Sequence, residues 1–219
     1  MVRDGIYYGA ALTSGGVLIS YISQPWFGLP LFILAAFCLY FFRDPERTVP
    51  SGPVAVSPAD GKVVAVRAEG SGTRISIFLN IFDVHVNRTP IAGTITGVRY
   101  QKGRFLVASK ELASAQNEQN TVVVEGGGTR VVFKQIAGLI ARRIVFSKKP
   151  GDMVAAGERV GLIKFGSRVD VELGPEWEIV VREGMRVSAG SSVLARRSDR
   201  SVPVETSAYA AMEPMTCRG

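Results

Sequence analysis

The segment GDMVAAGERV (Gly151–Val160) is echoed by GMRVSAGSSV (Gly184–Val193), with Gly, Val, Ala, Gly and Val at the same offsets. Each copy sets short valine-bearing runs on either side of a glycine turn, the pattern of strand, turn and strand. A second, weaker pair is DGKVVAV (Asp60–Val66) and AGTITGV (Ala92–Val98). A unit of that kind cannot bury its own apolar face. Two copies can cover each other, so the repeat predicts a mainly β, pseudo-symmetric sandwich.

Working outward, the same texture continues. Ile75, Ile77, Leu79 and Ile81 alternate with Ser76, Phe78, Asn80 and Phe82, a half-buried strand. Thr121–Val124 and Arg130–Phe133 flank the loop Glu125–Thr129 as a hairpin with a wide turn. In KFGSRVDVEL (Lys164–Leu173), Arg168, Asp170 and Glu172 alternate with Val169, Val171 and Leu173. Only Arg104–Gln116 reads as helix within this region. Lipoyl- and biotin-carrier domains are similar in their repeated halves, giving a lipoyl/biotinyl-like sandwich as the expected fold. Their modified lysine has methionine neighbours, which Lys164 in LIKFG lacks.

The amino-terminal part is different. No charged residue occurs between Asp4 and Arg43. Gln24-Pro25 divides that run into two apolar helices, about Ile6–Ser23 and Trp26–Phe42, a hairpin. A hydrocarbon core of about 30 Å needs roughly 20 apolar residues per crossing, so each half is marginally long enough to span, and a re-entrant hairpin is the other membrane-bound form. Arg3 at one end and Arg43 and Arg47 at the other place both ends in the cytoplasm. A buried hairpin of a soluble protein is the alternative. The organisation read from the sequence is a membrane-associated hairpin over 1–42, a proline-rich linker over 43–56, a β-rich domain over 57–197, and a polar tail over 198–219 expected to be disordered.

The formal net charge is +7, and the first fifty residues contribute none of it. A basic domain favours polyanions, either nucleic acid or an anionic membrane. The apolar leader favours the membrane and argues against nucleic acid. The run ARRIVFSKK (Ala141–Lys149) is a candidate for facing anionic lipid; a solvated strand edge fits it equally well. Two cysteines, Cys38 and Cys217, build neither a disulfide framework nor a zinc site, which points to a reducing compartment. With one histidine there is no metal cluster to expect, and Gly126–Gly128 lacks the context of a phosphate-binding loop.

The residues able to do chemistry are few. His85 is the only histidine and sits in NIFDVHVNRTP among Asn80, Asp83, Asn87 and Arg88. Its ordinary pKa near neutrality suits it to proton transfer. Asp60 lies in SPADGKV, where Asp-Gly also reads as a plain turn. Gly166-Ser167 sets a hydroxyl nucleophile at the mouth of a strand. A bulge or corner explains that too, and Gly-Ser recurs at Gly70-Ser71 and Gly190-Ser191.

FFRDPER (Phe41–Arg47), SPADGKV (Ser57–Val63), FDVHVNRTPIAG (Phe82–Gly93), NEQNTVVVE (Asn117–Glu125) and FGSRVDVEL (Phe165–Leu173) occur in that order. Together they resemble the short, membrane-associated bacterial form of phosphatidylserine decarboxylase. The resemblance implies an inactive precursor that cuts itself between Gly166 and Ser167. Attack of Ser167 Oγ on the Gly166 carbonyl would turn the amide into an ester. Elimination across Cα–Cβ and hydrolysis would then leave a pyruvoyl group and release ammonia. That covalent cofactor would take phosphatidylserine as a Schiff base, lose CO2 and release phosphatidylethanolamine. The two chains, 1–166 and 167–219, would form a heterodimer at the cytoplasmic face of the bacterial inner membrane. A non-catalytic, membrane-tethered carrier module is the competing class.

By the same resemblance His85 is the proton donor, and Asp60 assists self-cleavage through a histidine. Longer relatives carry HxxHxP, whereas this chain has HVNRTP, with Arg88 at the second histidine's place. Two routes for the cleavage base stay open: Asp60 through His85, or Asp60 through water. Arg88, a planar and permanently charged fork, is the candidate for the substrate carboxylate or phosphate.

Overall fold

The computed structural model describes residues 2–104, 116–138, 143–164 and 166–197. The helical reading of Arg104–Gln116 and the tail over 198–219 therefore lie almost wholly outside the described residues, as does the start of the basic run at Ala141.

The leader folds as the expected hairpin: α1 (Arg3–Ile22), a 3-10 turn (Pro25–Gly28) and α2 (Leu29–Phe41). Glycines decide how closely the helices pack. A methyl group on Gly5, Gly9 or Gly16 would sit 2.4 Å from Phe42, 2.7 Å from Leu39 or 2.8 Å from Phe32. The residues that weaken the apolar character of α1 are thus the seam that receives α2. The sequence gives both halves marginal spanning length; the structure corrects this. Pro25–Gly28 goes into the turn, and 13 residues of α2 rise only about 20 Å. Among the described residues, no helix is both long and apolar enough to cross a membrane. The outer face exposes Tyr7, Leu18, Tyr21, Trp26, Phe27 and Ile33.

The strands are β1 (Val54–Val56), β2 (Gly61–Glu69), β3 (Gly72–Leu79), β4 (Val86–Arg88), β5 (Gly93–Gln101), β6 (Gln119–Gly126) and β7 (Thr129–Ala137). They continue as β8 (Arg143–Phe146), β9 (Met153–Val154), β10 (Arg159–Lys164), β11 (Ser167–Leu173), β12 (Trp177–Ile179), β13 (Arg186–Val187) and β14 (Val193–Arg197). The large sheet runs β13-β2-β3-β11-β7-β6-β5-β9, and two small sheets run β1-β14-β12 and β4-β10-β8. Read outward from the β11–β7 contact, the two sides have one plan. The first half is β1–β3 with β11–β14, and the second is β4–β10.

The sequence repeat is this symmetry. Gly61 pairs with Val187 across β2–β13, as Gly93 pairs with Val154 across β5–β9. The matched turn glycines share backbone conformation, φ 94° and 92° at Gly151 and Gly184, 71° and 76° at Gly157 and Gly190. Gly157 and Gly190 also stand against each other: a methyl on either would lie 3.4–3.6 Å from the other's Cα. The core between the layers holds Ile75, Ile77, Leu79, Phe133, Val169, Val171 and Leu194, all essentially inaccessible.

Two local readings change. The turn between β6 and β7 is tight: Gly126 pairs with Thr129, and Gly127 and Gly128 both take positive φ, as a two-residue I′ turn demands. The stretch read as linker over 43–56 already contains β1, with Val54 opposite Arg196. Its earlier part is tied down by charge. Asp44 meets Arg88 at 3.1 Å and Arg159 at 2.6 Å, and Arg47 meets Asp60 at 2.7 Å.

The second half is inserted into the first, and the chain returns through Gly166 into β11. β11 is bonded on both sides, to β3 and β7; β13 is bonded to β2 and β14 to β1. Residues after 166 are therefore held by ladders to residues before it.

Candidate active site

β11 starts at Ser167, which lies opposite Leu79 on one side and Ala137 on the other. Before it, Gly166 has φ +59°, while a methyl group there would meet nothing within 4 Å. Conformation, not space, calls for glycine at this point. The Ser167 hydroxyl is fully buried and, among the described residues, has no hydrogen-bond partner. Buried hydroxyls are normally bonded, so a bare one marks a site.

His85 stands just before β4, where its carbonyl accepts the Ile163 N–H at 3.3 Å. Its Nδ1 lies 2.9 Å from the Asp83 carbonyl, which can only accept. Nδ1 therefore carries the proton, and Nε2 presents its lone pair to the Gly166 N–H at 3.3 Å. The ring is 2% exposed, and burial pushes its pKa down to about 4, helped by the nearby Arg43 charge and opposed by the Asp83 carbonyl. A neutral imidazole thus faces the backbone one residue before the serine.

The hairpin supplies the cover. Phe41, the last residue of α2, packs its ring 4.2 Å from the His85 ring, centroid to centroid. Arg43 and Tyr40 donate to the Phe82 carbonyl at 2.7 and 3.3 Å. Lys164, two residues before Gly166, pairs with Asp4 of α1 at 2.8 Å and is 13% exposed. A lysine so engaged is not the free swinging arm of a carrier domain.

A profile described as phosphatidylserine decarboxylase matches residues 34–195. The phosphatidylserine decarboxylase proenzyme of Solibacter usitatus is 68% identical over 200 residues, covering 91% of this chain and 98% of that protein. The protein of the same name from Erythrobacter litoralis is 44% identical, covering 88% and 86%. That from Carboxydothermus hydrogenoformans is 43% identical, covering 90% and 96%. The chain belongs to the phosphatidylserine decarboxylase family.

Within this family member, the residues singled out from sequence fall into two groups. Gly166, Ser167 and His85 come together, as described. Asp60 and Arg88 sit elsewhere. The Asp60 carboxylate accepts from Arg47 at 2.7 Å and from the Ala189 N–H at 2.8 Å, and burial raises its pKa. Among the described residues, both nitrogens of His85 are taken by Asp83 and Gly166, so the structure gives Asp60 no direct bond to the imidazole. The Arg88 guanidinium donates to the Gly157 carbonyl at 3.0 Å, to Asp44 at 3.1 Å and to the Pro45 carbonyl at 3.2 Å. Its fork is filled by the protein, and it works as a strut between the linker and the turn at Gly157.

Sequence alone assigns no role to Phe41, the first residue of FFRDPER, to Asn87, one of the polar neighbours of His85, or to Gln135. Asn87 follows His85 by two residues, the spacing of one strand face. Gln135 is a polar residue in a position the strand buries. Both signals were present in the sequence, without a partner to give them meaning.

Proposed function

We propose that this chain is a self-processing phosphatidylserine decarboxylase, converting phosphatidylserine to phosphatidylethanolamine with a pyruvoyl group made from Ser167. The observation that carries this reading is the bare, buried Ser167 hydroxyl behind a left-handed Gly166, with the neutral Nε2 of His85 beside it. These residues fit such a group. Ser167 is held from both flanks by β3 and β7, so loss of the 166–167 bond leaves its position fixed. When formed, the pyruvoyl carbonyl supplies an electron sink for the pair released by loss of CO2.

The chain's own residues do the rest. In self-cleavage, Gly166 reaches the geometry that presents its carbonyl to Ser167 Oγ, and proximity takes the place of a collision. His85 Nε2 exchanges the Gly166 N–H for the serine hydroxyl and takes its proton. The low pKa keeps that lone pair available at neutral pH, the requirement for a base. In turnover, the same nitrogen takes a proton from the incoming lipid ammonium as its amine is engaged and returns it to the substrate carbon that has lost CO2. Phe41 excludes water from the ring.

The hairpin brings this site to the lipid. Withdrawing a diacyl lipid from a bilayer costs about 0.8 kcal/mol per CH2, so the enzyme works at the interface. The exposed aromatics of the hairpin suit that depth. With Arg3, Arg43 and Arg47 on one side, the cytoplasmic face is its place, and the products 1–166 and 167–219 stay together as a heterodimer.

Intact mass of the purified protein tests the reading. The expected result is two chains, of 166 and 53 residues, out of 219, the smaller blocked at its amino terminus. A single uncut chain that still decarboxylates phosphatidylserine would overturn it.

A further inference from the structure

Asn87 is fully buried, and its amide nitrogen has no hydrogen-bond partner among the described residues. Its oxygen is engaged: Gln135 Nε2 donates to it at 2.9 Å. Gln135 is itself oriented by Asn120, whose Nδ2 donates to Gln135 Oε1 at 3.0 Å. Three carboxamides thus run donor to acceptor from β6 through β7 to β4 and end on an NH2 group with nothing to bind. A buried donor left bare costs about 1–3 kcal/mol. A fold that keeps one beside its reactive residue has a use for it.

Strand register says where the group faces. Asn120, Gln135 and Val169 form one row across β6, β7 and β11. Ala137 and Ser167 form the row two residues along, on the same face of the sheet. Asn87 meets Gln135 from the facing small sheet, where it pairs with Gly161 of β10. His85, two residues earlier, shares its side and reaches Gly166. The bare amide, the bare hydroxyl and the imidazole therefore share one space between the layers.

The cations next in sequence turn away from that space. Arg88 follows Asn87 and is held by Asp44 and Gly157. Arg168 follows Ser167 on the opposite face of β11, with Nε bonded to Asp170 at 2.6 Å. A site that removes a carboxylate gains from this arrangement. A guanidinium would hold the charged ground state tightly and lose that attraction as neutral CO2 departs. A neutral amide orients the carboxylate while opposing its loss less.

The geometry points to Asn87 Nδ2 as the donor that binds the α-carboxylate of the amino-acid headgroup, with Gln135 and Asn120 as the residues that position it. This assignment rests on the decarboxylase reading above, and the test keeps the two apart.

Processed wild-type enzyme and Asn87→Ala are mixed briefly with vesicles containing either phosphatidylserine or phosphatidylethanolamine. Borohydride then fixes any bound lipid amine, and the mass of the 53-residue chain is measured. Both lipids carry the amine; only the first carries the carboxylate. For Asn87→Ala, capture from phosphatidylserine is expected to fall about 10- to 100-fold, the worth of a hydrogen bond to a charged group, while capture from phosphatidylethanolamine is unchanged. Equal loss with both lipids, or loss with neither, would overturn the assignment. A wild-type chain that is cut but captures neither lipid would instead defeat the decarboxylase reading, and the carboxylate site with it. If Asn87→Ala fails to self-cleave, Gln135→Leu carries the same comparison: it frees the Asn87 amide to rotate, and a selective loss of phosphatidylserine capture is again required.

Discussion

The two halves of the sandwich share strand order and pairing, yet they treat one connection differently. In the second half, β6 runs into β7 through the two-residue turn Gly127-Gly128. In the first half, the corresponding strands β3 and β11 also pair side by side, with Leu79 opposite Ser167. No turn joins them. The chain leaves β3, builds the entire second half, and only then arrives at β11 through Gly166. A closed hairpin cannot lose its turn without fraying at that end. The open one has no turn to lose, because its ladders were never held by the local chain. The duplication therefore leaves a position where a strand can begin a new polypeptide at little structural cost, and Ser167 occupies it. The end of β3 also feeds the Asn80–Asp83 turn, whose Asp83 carbonyl sets the tautomer of His85.

The contrast is most easily broken at the serine. Ser167→Ala is expected to abolish both the cut and the activity, with a single 219-residue chain on a denaturing gel; efficient cleavage in this variant would remove the nucleophile from the account. Next come the two kinds of glycine. Gly166→Ala and Gly128→Ala each force a non-glycine residue to positive φ, costing about 1–2 kcal/mol. The expected difference is one of kind: Gly128→Ala lowers the unfolding free energy by that amount and leaves the rate of self-cleavage alone, whereas Gly166→Ala slows the cut at least tenfold. Matched effects on cleavage would mean that the open connection has no special chemistry.

His85 sharpens the comparison through pH. Its folded pKa of about 4 lies below the unfolded value of 6.5, so between those values the unfolded chain binds more protons. Stability is full above about pH 6.5, declines as pH falls toward 4, and loses up to about 3 kcal/mol through this group. Phe41→Ala admits water to the ring. An NMR titration should then move the His85 pKa upward toward 6.5 and flatten the decline. An unmoved pKa would show that the hairpin does not control the site. Smallest is the effect of Asp4→Asn, which breaks a partly exposed ion pair with Lys164 and is expected to cost at most about 1 kcal/mol by denaturant titration.

Much of this architecture is legible in the sequence because symmetry writes itself in glycine. Positive φ at Gly151, Gly157, Gly184 and Gly190 admits few other residues, so the repeat stays visible after most side chains have diverged. Ser167 and His85 are legible as candidates because the proposed chemistry restricts the residue type. The role of Arg88 is not legible, since an arginine can serve a substrate or a neighbouring loop equally well, and its bonds to Asp44 and Gly157 emerge only in the fold. Phe41 is hidden for a related reason. Its apolar neighbours in α2 make it one more anchor residue, and nothing local reveals that this particular ring lies against the histidine. The tightness of the β6–β7 turn is missed by two residues at the end of β6 and one at the start of β7, because Glu125 and Gly126 pair with Arg130 and Thr129 although neither Glu nor Gly favours a strand.

Among the described strands, β14 is the last to leave the ribosome, and its partner β1 is the first of the domain to be made. Val54 thus waits for Arg196 through the synthesis of nearly the whole domain before their ladder can close. An unfinished chain has no complete first half, and so no rigid seat for the serine. On the proposed reading, cleavage is in this way timed by assembly: the 166–167 bond would become breakable only once the strands that hold its two ends have been delivered.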